Sequence, residues 1–346
     1  MNKNMTMKKT KKWNDGTANF WEGCTKTSLG CELCKGAARD EKHREGKHWG
    51  EGAPRSQLKS GFMLAISHNQ AAADERFRED LATGERKIWR RQDMGQMTDS
   101  VSKPVRPQLQ IMDLGDFWDP ETPTEIRMLA LETIMSCTFV DFMITTKRPE
   151  EARNLLSAAN RLAGDLCRDE LVDWITDWLG QTPPKNVFLG VTVELQDHAN
   201  RLEEMATGLS AVAYYVEMKP ILGAITIPPV WQSLARLIVV EGSRGPESRP
   251  IHPEWLDQIW MEAALYRIPF HFASWGDWLP EAIEAPPIAM QKRDTLHYVG
   301  LDGAITAMTS TPSPLSAMTW RHMREDPQRL LPDGTTADAR IQPANL

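Results

Sequence analysis

The sequence predicts an α/β protein built on a full or partial (β/α) barrel of the TIM type. From about residue 108, apolar runs rich in β-branched and aromatic residues alternate with segments of helical periodicity, a repetition typical of parallel βαβ units. A loop with three cysteines precedes these runs, and a stretch rich in Ser, Thr, Pro and Met follows them. We therefore expect a barrel over residues 13–300 with a cysteine loop at 20–36, a basic tail at 1–12 and a C-terminal extension at 301–346.

Six apolar runs are predicted to form strands of the barrel, with room for one or two further strands earlier in the chain. They are Leu109–Leu114, Phe139–Thr145, Val187–Val193, Val212–Met218, Leu237–Val240 and Ile268–Phe272. Before them, residues 13–60 are expected to be mostly loop, and residues 69–107 exposed helix and connection. Between these two segments, Phe62–Ser67 is expected to form either a strand or one turn of a buried helix.

Three segments carry helix signals. Thr122-Pro123-Thr124-Glu125 predicts a capping box with proline at the first helical position. Leu171, Ile175 and Trp178 recur at helical spacing and predict a core-facing helix. A further helix is expected to open at His252-Pro253.

Composition and charge narrow the function classes. The 346 residues are enough for one large domain or two smaller ones. No run approaches 18 consecutive apolar residues, so no membrane span is expected, and a cytoplasmic, reducing compartment fits the absence of a secretory signal. The net charge is −7, yet residues 1–106 hold 21 Lys and Arg against 14 Asp and Glu. This basic third favours a phosphate-bearing substrate, unless its charges merely solvate surface helices.

Three of the five cysteines stand close together near the start, spaced as Cys24-x6-Cys31-x2-Cys34. Gly23 and Gly30 precede two of them and would let the loop bend back on itself. A structural zinc site takes four protein ligands, whereas a [4Fe–4S] cluster held by three cysteines leaves one iron open to a small molecule. The spacing therefore predicts an iron–sulfur cluster with a reactive iron.

Other interpretations of these cysteines stay open. A zinc site completed by His43, His48 or Asp40 is the main competitor. Unpaired core thiols fit poorly in a segment rich in Gly, Lys and Glu. A disulfide is disfavoured by the odd number of cysteines and by the expected reducing compartment.

Polar residues follow every predicted strand, where a barrel of this type carries its functional loops. We expect them to surround one mouth of the barrel. They are Asp113 and Asp116, Thr145 to Arg148, Glu194 and Gln196, Glu217 and Lys219, Glu241, Ser243 and Arg244, and His271 and Ser274.

Several separated motifs, in order over most of residues 13–280, resemble one family. It is a phage-associated family of unknown function whose members carry a three-cysteine loop and look like divergent radical S-adenosylmethionine enzymes. The matching motifs are Trp13 and Asp15 before Gly23-Cys24, Cys31-x2-Cys34, Asp116, Thr146 to Pro149, Asn186 to Glu194, Pro220 to Gly223, Arg249 to Pro253, and Trp275 to Trp278.

The chain departs from that family's pattern on the later strands. Lys219-Pro220 stands where the family usually has Glu-Pro. Glu241 to Gly245 replaces its usual Gly-Gly-Glu-Ser-Gly, and Ala273-Ser274 replaces its usual Lys-Gln. The cysteine loop is retained, so we expect the same cofactor with a changed substrate.

The resemblance implies an enzyme that uses a [4Fe–4S] cluster on Cys24, Cys31 and Cys34 to cleave S-adenosylmethionine and abstract hydrogen from a substrate. A reducing electron donor is then required, and the chemistry is that of the cofactor. Asp116 is expected at the methionine amino group, Lys147 or Arg148 at its carboxylate, and Thr192 and Glu194 at the ribose hydroxyls. Expected substrate contacts are Glu217, Lys219, Ser243, Arg244 and His271.

The resemblance also implies a substrate. Phage context and the basic first third indicate nucleic acid or a modified nucleotide, in the host cytoplasm if the chain is phage-encoded. One such reaction is the isomerisation of a hypermodified, amino-acid-adducted thymidine in phage DNA. No DNA-reading motif is evident. The alternative class is a zinc-stapled barrel that binds nucleic acid, or a hydrolase, without redox chemistry, since fold alone does not decide function.

Overall fold

The computed structural model describes residues 13–96, 98–244 and 248–276. It also describes the backbone of three short strands, Leu279–Pro280, Ala289–Lys292 and Thr295–Tyr298. The predicted basic tail and C-terminal extension lie outside the described residues.

Seven strands form one parallel sheet that curls into a half-barrel. Their order in the sheet is their order in the chain, and every neighbouring pair is parallel. The strands are β1 (Gly16–Ala18), β2 (Gln108–Ile111), β3 (Asp141–Thr146), β4 (Val187–Thr192), β5 (Tyr214–Met218), β6 (Ala235–Glu241) and β7 (Phe270–Ser274). The sheet confirms an α/β fold with a partial barrel, and each of the six predicted strands is present.

Eight α-helices lie in the described part of the chain, and most of them connect successive strands of the sheet. They are α1 (Lys35–Arg44), α2 (Lys59–Ala73), α3 (Thr124–Ser136), α4 (Ala152–Asp165), α5 (Asp169–Leu179), α6 (Arg201–Gly208), α7 (Trp231–Leu234) and α8 (Pro253–Leu265). None of the helices in these described ranges is long and apolar enough to cross a membrane. Short 3-10 turns occupy Leu29–Leu33, Arg91–Gln96, Pro149–Glu151 and Gln196–His198.

The two faces of the sheet bury different cores. Side chains alternate between the faces of a strand, so Phe142 and Ile144 of β3 join the large core under the helices while Met143 faces the concave interior. On α5, Leu171, Ile175 and Trp178 are buried at helical spacing, as predicted.

A small apolar layer fills the amino-terminal end of the concave interior. Met143 packs there with Trp13, Phe188, Tyr215, Leu237 and Val239. Further along the same strands, at the same alternation, stand the polar residues Thr145 and Glu217. The half-barrel therefore has an apolar base and a polar layer toward the carboxyl ends of its strands.

The first hundred residues contain more structure than the sequence predicted. Residues 13–60 were expected to be mostly loop, yet they hold β1, α1 and a two-residue antiparallel pair of Trp21–Glu22 with Ser56–Gln57. The strand or buried turn expected at Phe62–Ser67 is part of α2. Residues 69–107 form a three-stranded antiparallel sheet, in which Phe77–Asp80 pairs with Arg86–Ile88 and with Ser102–Pro104.

The expected capping box is also wrong. Helix α3 begins at Thr124 with Pro123 as its N-cap, and no side chain caps it. The prediction at His252-Pro253 is confirmed, because α8 begins at Pro253 and the His252 side chain accepts a hydrogen bond from the backbone amide of Glu254 at 3.2 Å.

The packing of the concave interior is testable at Gly190. A Cβ added there would lie 2.3 Å from the Tyr215 ring, so Gly190→Ala is expected to destabilise the fold by about 1–3 kcal/mol. Gly164→Ala is a matched control, since Gly164 lies in α4 with nothing within 4 Å of an added Cβ, and the change should stabilise by about 0.5–1 kcal/mol. Urea unfolding measures both, and a Gly190→Ala protein as stable as wild type would contradict this packing.

Candidate active site

The carboxyl ends of the parallel strands surround a cavity of about 230 Å³. The cysteine loop forms one wall of the cavity, and most of the rest comes from the ends of β2 to β5 and from the segments that follow β2, β3, β5 and β6. Of the thirteen site residues predicted from sequence, all but Glu194 and His271 line it. Parallel barrels place their ligand sites at this end of the sheet.

All three loop cysteines line this cavity. Cys24, Cys31 and Cys34 are partly buried and free, so no disulfide joins them. The other two cysteines lie elsewhere, since Cys137 is the C-cap residue of α3 and Cys167 lies between α4 and α5. The structure thus separates the loop thiols from the remaining two.

The chain reaches the cavity by continuing past β1 beside the segment after β2. Gly23 and Gly115 form a parallel bridge, and the Gly23 amide donates to the carbonyl of Leu114 at 3.0 Å. Gly23 adopts a φ of +110°, and a Cβ there would lie 2.4 Å from the carbonyl oxygen of His48. Only glycine fits this position, and the bend places Cys24 at the edge of the cavity.

A buried guanidinium holds the loop in place. The Arg55 side chain is fully buried and donates to Asp119 Oδ2 at 2.8 Å, to Thr25 Oγ1 at 2.6 Å and to the Ala53 carbonyl at 2.6 Å. Asp119 belongs to the segment after β2, and Thr25 directly follows Cys24. Arg55 therefore ties the cysteine loop to the sheet.

Two cations stand beside the cysteine sulfurs. Lys147 Nζ lies 3.5 Å from Cys31 Sγ, and Arg148 Nη1 lies 3.6 Å from Cys24 Sγ. Burial raises the pKa of Cys24 to about 12, with Asp116 adding to the effect and Arg148 opposing it. Burial also acts to raise the pKa of Cys31, but Lys147 and hydrogen bonds from the loop outweigh it, so that pKa lies below its ordinary value.

Asp116 fixes the two cations. Its carboxylate accepts hydrogen bonds from Thr146 Oγ1 at 2.6 Å and from the backbone amides of Lys147 and Trp118 at 2.9 Å each. Arg148 Nη1 lies 3.4 Å from Oδ2. The carboxylate that the sequence assigned to the methionine amino group is thus engaged by four protein donors.

Glu194 lies behind the cavity wall. Its side chain is fully buried, forms an ion pair with Lys147 and accepts a hydrogen bond from Ser28 of the cysteine loop at 2.9 Å. His198 Nδ1 lies 3.1 Å and Arg201 Nη1 3.6 Å from its other oxygen. Thr192, two residues earlier, does line the cavity.

A second buried carboxylate lies in the polar layer above the apolar base. Glu217 Oε1 accepts hydrogen bonds from Thr145 Oγ1 at 2.7 Å and Gln110 Nε2 at 3.0 Å, and Tyr215 Oη lies 2.6 Å from Thr145 Oγ1. Burial raises the pKa of Glu217 above its ordinary value, although Lys219 and Thr145 oppose the shift.

Three cations surround Glu241, the last residue of β6. Lys35 and Lys219 each lie 3.2 Å from its carboxylate, and Arg244 lies 3.3 Å from it. Burial acts to raise the pKa of Glu241, but Lys219 and Lys35 outweigh burial and hold that pKa below its ordinary value.

Ser243 and His271, two further predicted substrate contacts, differ in their position relative to the cavity. Ser243 lines the cavity, and its hydroxyl donates to the Arg249 carbonyl at 2.8 Å, which shapes the loop after β6. His271 is buried in β7 beside Val239 and does not belong to the cavity wall.

The described residues offer few ligands for a single metal ion. Within the described ranges, no group of three or more His, Cys, Asp and Glu residues is arranged to hold a metal ion. Two of the three residues that could complete a zinc site, Asp40 and His48, contact each other at 2.7 Å. Three thiols from one loop line the cavity, and they match in number the protein ligands of a [4Fe–4S] cluster with one open iron.

Three residues that shape the cavity were missed from sequence. Lys35 could have been found, since it directly follows Cys34, and so could Gln110, a polar residue inside the apolar strand β2. Arg55 carries no sequence signal, because its partner Asp119 is 64 residues away.

Fold and site together define a partial (β/α) barrel with a cysteine-lined, cation-rich cavity at the carboxyl ends of its strands. The chain belongs to the DUF5131 family, described as a protein of unknown function, whose profile matches residues 8–337. Neither the curated proteins nor the solved structures gave a match.

The role of Arg55 can be tested by Arg55→Met. The change leaves Asp119 buried without its cation, so a loss of about 3–5 kcal/mol is expected, together with faster reaction of the loop thiols with a disulfide reagent. Arg91→Met is a matched control, because Arg91 pairs with Asp74 at 3.1 Å but is 76% exposed, and it should cost at most about 1 kcal/mol. A Cys167→Ala background removes the exposed thiol. Unchanged reactivity of the loop thiols in Arg55→Met would contradict the role of Arg55 in holding the loop.

The ion pairs of Glu241 predict a pH dependence. Since its pKa in the folded protein lies below the ordinary 4.5, the charged carboxylate stabilises the fold above that pH, and the contribution is lost as pH falls through the folded pKa. Glu241→Gln should therefore be less stable than wild type at pH 7, by about 1–3 kcal/mol, and the difference should vanish in acid. Urea unfolding across pH measures it, and a constant difference would contradict the ion pairing.

Proposed function

We propose that the chain is a radical S-adenosylmethionine enzyme acting on nucleic acid or a modified nucleotide. The observation that carries the proposal is that Cys24, Cys31 and Cys34, from a single loop, all line the cavity at the carboxyl ends of a parallel half-barrel. A resident [4Fe–4S] cluster would be held by these three thiolates, which leaves one iron without a protein ligand.

When bound, such a cluster would supply the one-electron chemistry that cleaves S-adenosylmethionine and removes a hydrogen atom from the substrate, with the electron coming from an external donor. The chain's own residues bind, orient and exclude water. Lys147 and Arg148 offset the negative charge of the thiolates, which they approach within 3.5 and 3.6 Å. One of them would also pair with the methionine carboxylate.

Asp116 and Glu194 are assigned a positioning role in this proposal. Asp116 orients Lys147 and Arg148, and Glu194 links Lys147 to the cysteine loop through Ser28. Asp116 is already engaged by four protein donors, which argues against a direct contact to the methionine amino group. Glu194 is buried and does not line the cavity, which argues against a contact to the ribose. Thr192 lines the cavity, so we still assign it to the ribose hydroxyls.

The charge of the cavity supports an anionic substrate. Among the described residues that line it, six are Lys or Arg and three are Asp or Glu. Nucleic acid meets this requirement through its phosphates, and we retain isomerisation of an amino-acid-adducted thymidine in phage DNA as the specific reaction. Glu217, Lys219, Ser243 and Arg244 line the side of the cavity assigned to the substrate. The chemistry needs an electron donor and a reducing compartment, as in host cytoplasm.

The proposal is tested by anaerobic reconstitution with iron and sulfide. Wild type is expected to bind both and to release 5′-deoxyadenosine from S-adenosylmethionine when dithionite is added. Cys24→Ala, Cys31→Ala and Cys34→Ala should each abolish that release, because each removes a cluster ligand. Cys137→Ala and Cys167→Ala are matched controls outside the cavity and should keep it.

Two results would reject this function. Protein that takes up zinc but neither iron nor sulfide would favour the zinc-stapled alternative. Full release of 5′-deoxyadenosine by the Cys31→Ala variant would show that the loop does not hold the cluster.

A further inference from the structure

Lys35, Lys219 and Arg244 come from three separate parts of the chain and meet at one carboxylate. Lys35 is the first residue of α1, Lys219 follows β5 and Arg244 follows β6. Each lies within 3.3 Å of Glu241. One carboxylate thus faces three cations, which repel one another at this range.

The same three side chains open onto the cavity. All of them line it, and the exposed fractions of their side chains are 52% for Lys35, 47% for Arg244 and 27% for Lys219. Their charged ends are therefore accessible from the cavity, whereas only 11% of the Glu241 side chain is exposed. An ion-pair network that served stability alone would gain little from cations so exposed.

Two further carboxylates lie near these cations, on the Lys219 side. Lys219 also feels the negative charge of Glu217 and Asp113. Among the described residues, Arg244 also donates to the hydroxyl of Ser274 at 2.9 Å. In the same part of the chain, Lys35 pairs with Glu241. The positive surplus consequently lies toward Lys35 and Arg244, on the cavity side.

We propose that Lys35, Lys219 and Arg244 form an oxyanion-binding subsite that takes a phosphate or carboxylate group of the substrate. Glu241 holds the three cations in place by pairing with each of them. Arg244 offers a planar fork suited to two oxygens of one group, and the lysines supply point charges. Because Lys35 directly follows Cys34, an anion bound here lies next to the cysteine loop. The assignment of that anion to the substrate rests on the proposed function.

Binding to metal-free protein tests the subsite. Thymidine 5′-monophosphate (dTMP) is compared with thymidine by calorimetry at low salt, with inorganic phosphate and acetate as competitors. We expect dTMP to bind at least tenfold more tightly than thymidine. Lys219→Met and Arg244→Met should each weaken dTMP binding about tenfold and leave thymidine binding unchanged. Arg244 is half exposed, so its variant keeps the test valid if Lys219→Met fails to fold.

Lys47→Met is the matched control. It removes a lysine paired with Glu45 at 3.2 Å, the same separation as Lys35 and Glu241, but outside the cavity. This change should leave dTMP binding as in wild type. A loss equal to that of Lys219→Met would mean that overall charge, rather than a subsite, governs binding.

The competitors identify the source of the oxyanion. Displacement by phosphate supports a phosphate group, and displacement by acetate alone supports a carboxylate. The subsite is overturned if dTMP binds no better than thymidine and neither phosphate nor acetate binds saturably. It is also overturned if the variants weaken S-adenosylmethionine instead of dTMP. None of these measurements needs a cluster or a reductant, so a failure of the radical chemistry would leave the result interpretable.

Discussion

The site depends on one buried guanidinium. Arg55 joins the loop that carries the three cysteines to the sheet, alongside the backbone hydrogen bond from Gly23 to Leu114 and the hydrogen bond from Ser28 to Glu194. Arg55 donates to Asp119 in the segment after β2, to Thr25 in the cysteine loop and to the carbonyl of Ala53. Burying a charge is unfavourable, and the hydrogen bonds and ion pairs of the Arg55 guanidinium offset this because nearly every one of its N–H groups has an acceptor. The position of the loop thiols follows from that constraint.

Charge is divided between two parts of the cavity. At the cysteine loop, Lys147 and Arg148 are held by Glu194 and Asp116 behind them. At the ends of β5 and β6, the cations around Glu241 outnumber their carboxylate. In the first case each cation lies between a carboxylate and a cysteine sulfur, and in the second the cations remain partly exposed to the cavity. The two parts therefore differ in the partners that we propose for them, a cluster held by thiolates and a free oxyanion.

The sequence predicted the later strands well and the early ones poorly, for a physical reason. Strands β2 to β7 are buried on both faces, so they appear as continuous apolar runs. Strand β1 is only Gly-Thr-Ala, and its order comes from pairing with β2 over ninety residues away. The predicted ends of these strands also located most of the site residues, because functional loops follow the carboxyl ends of parallel strands. Glu194 was expected to face a ligand, but the loop after β4 turns it toward Lys147 and Ser28, a choice that only tertiary contacts determine.

The protonation of the loop thiols affects which metal group they can bind. Cys24, with its raised pKa, stays protonated at neutral pH, and Cys31 is held by Lys147 and by loop hydrogen bonds. A group that binds here must displace the Cys24 proton, which thiolate-binding metals and clusters do. A single zinc ion would in addition have to draw all three sulfurs and a fourth donor to one point, although Asp40 and His48 already satisfy each other and Arg55 fixes Thr25 next to Cys24. In the proposed cluster each thiolate would bind a different iron, so the three sulfurs would not have to meet at one point.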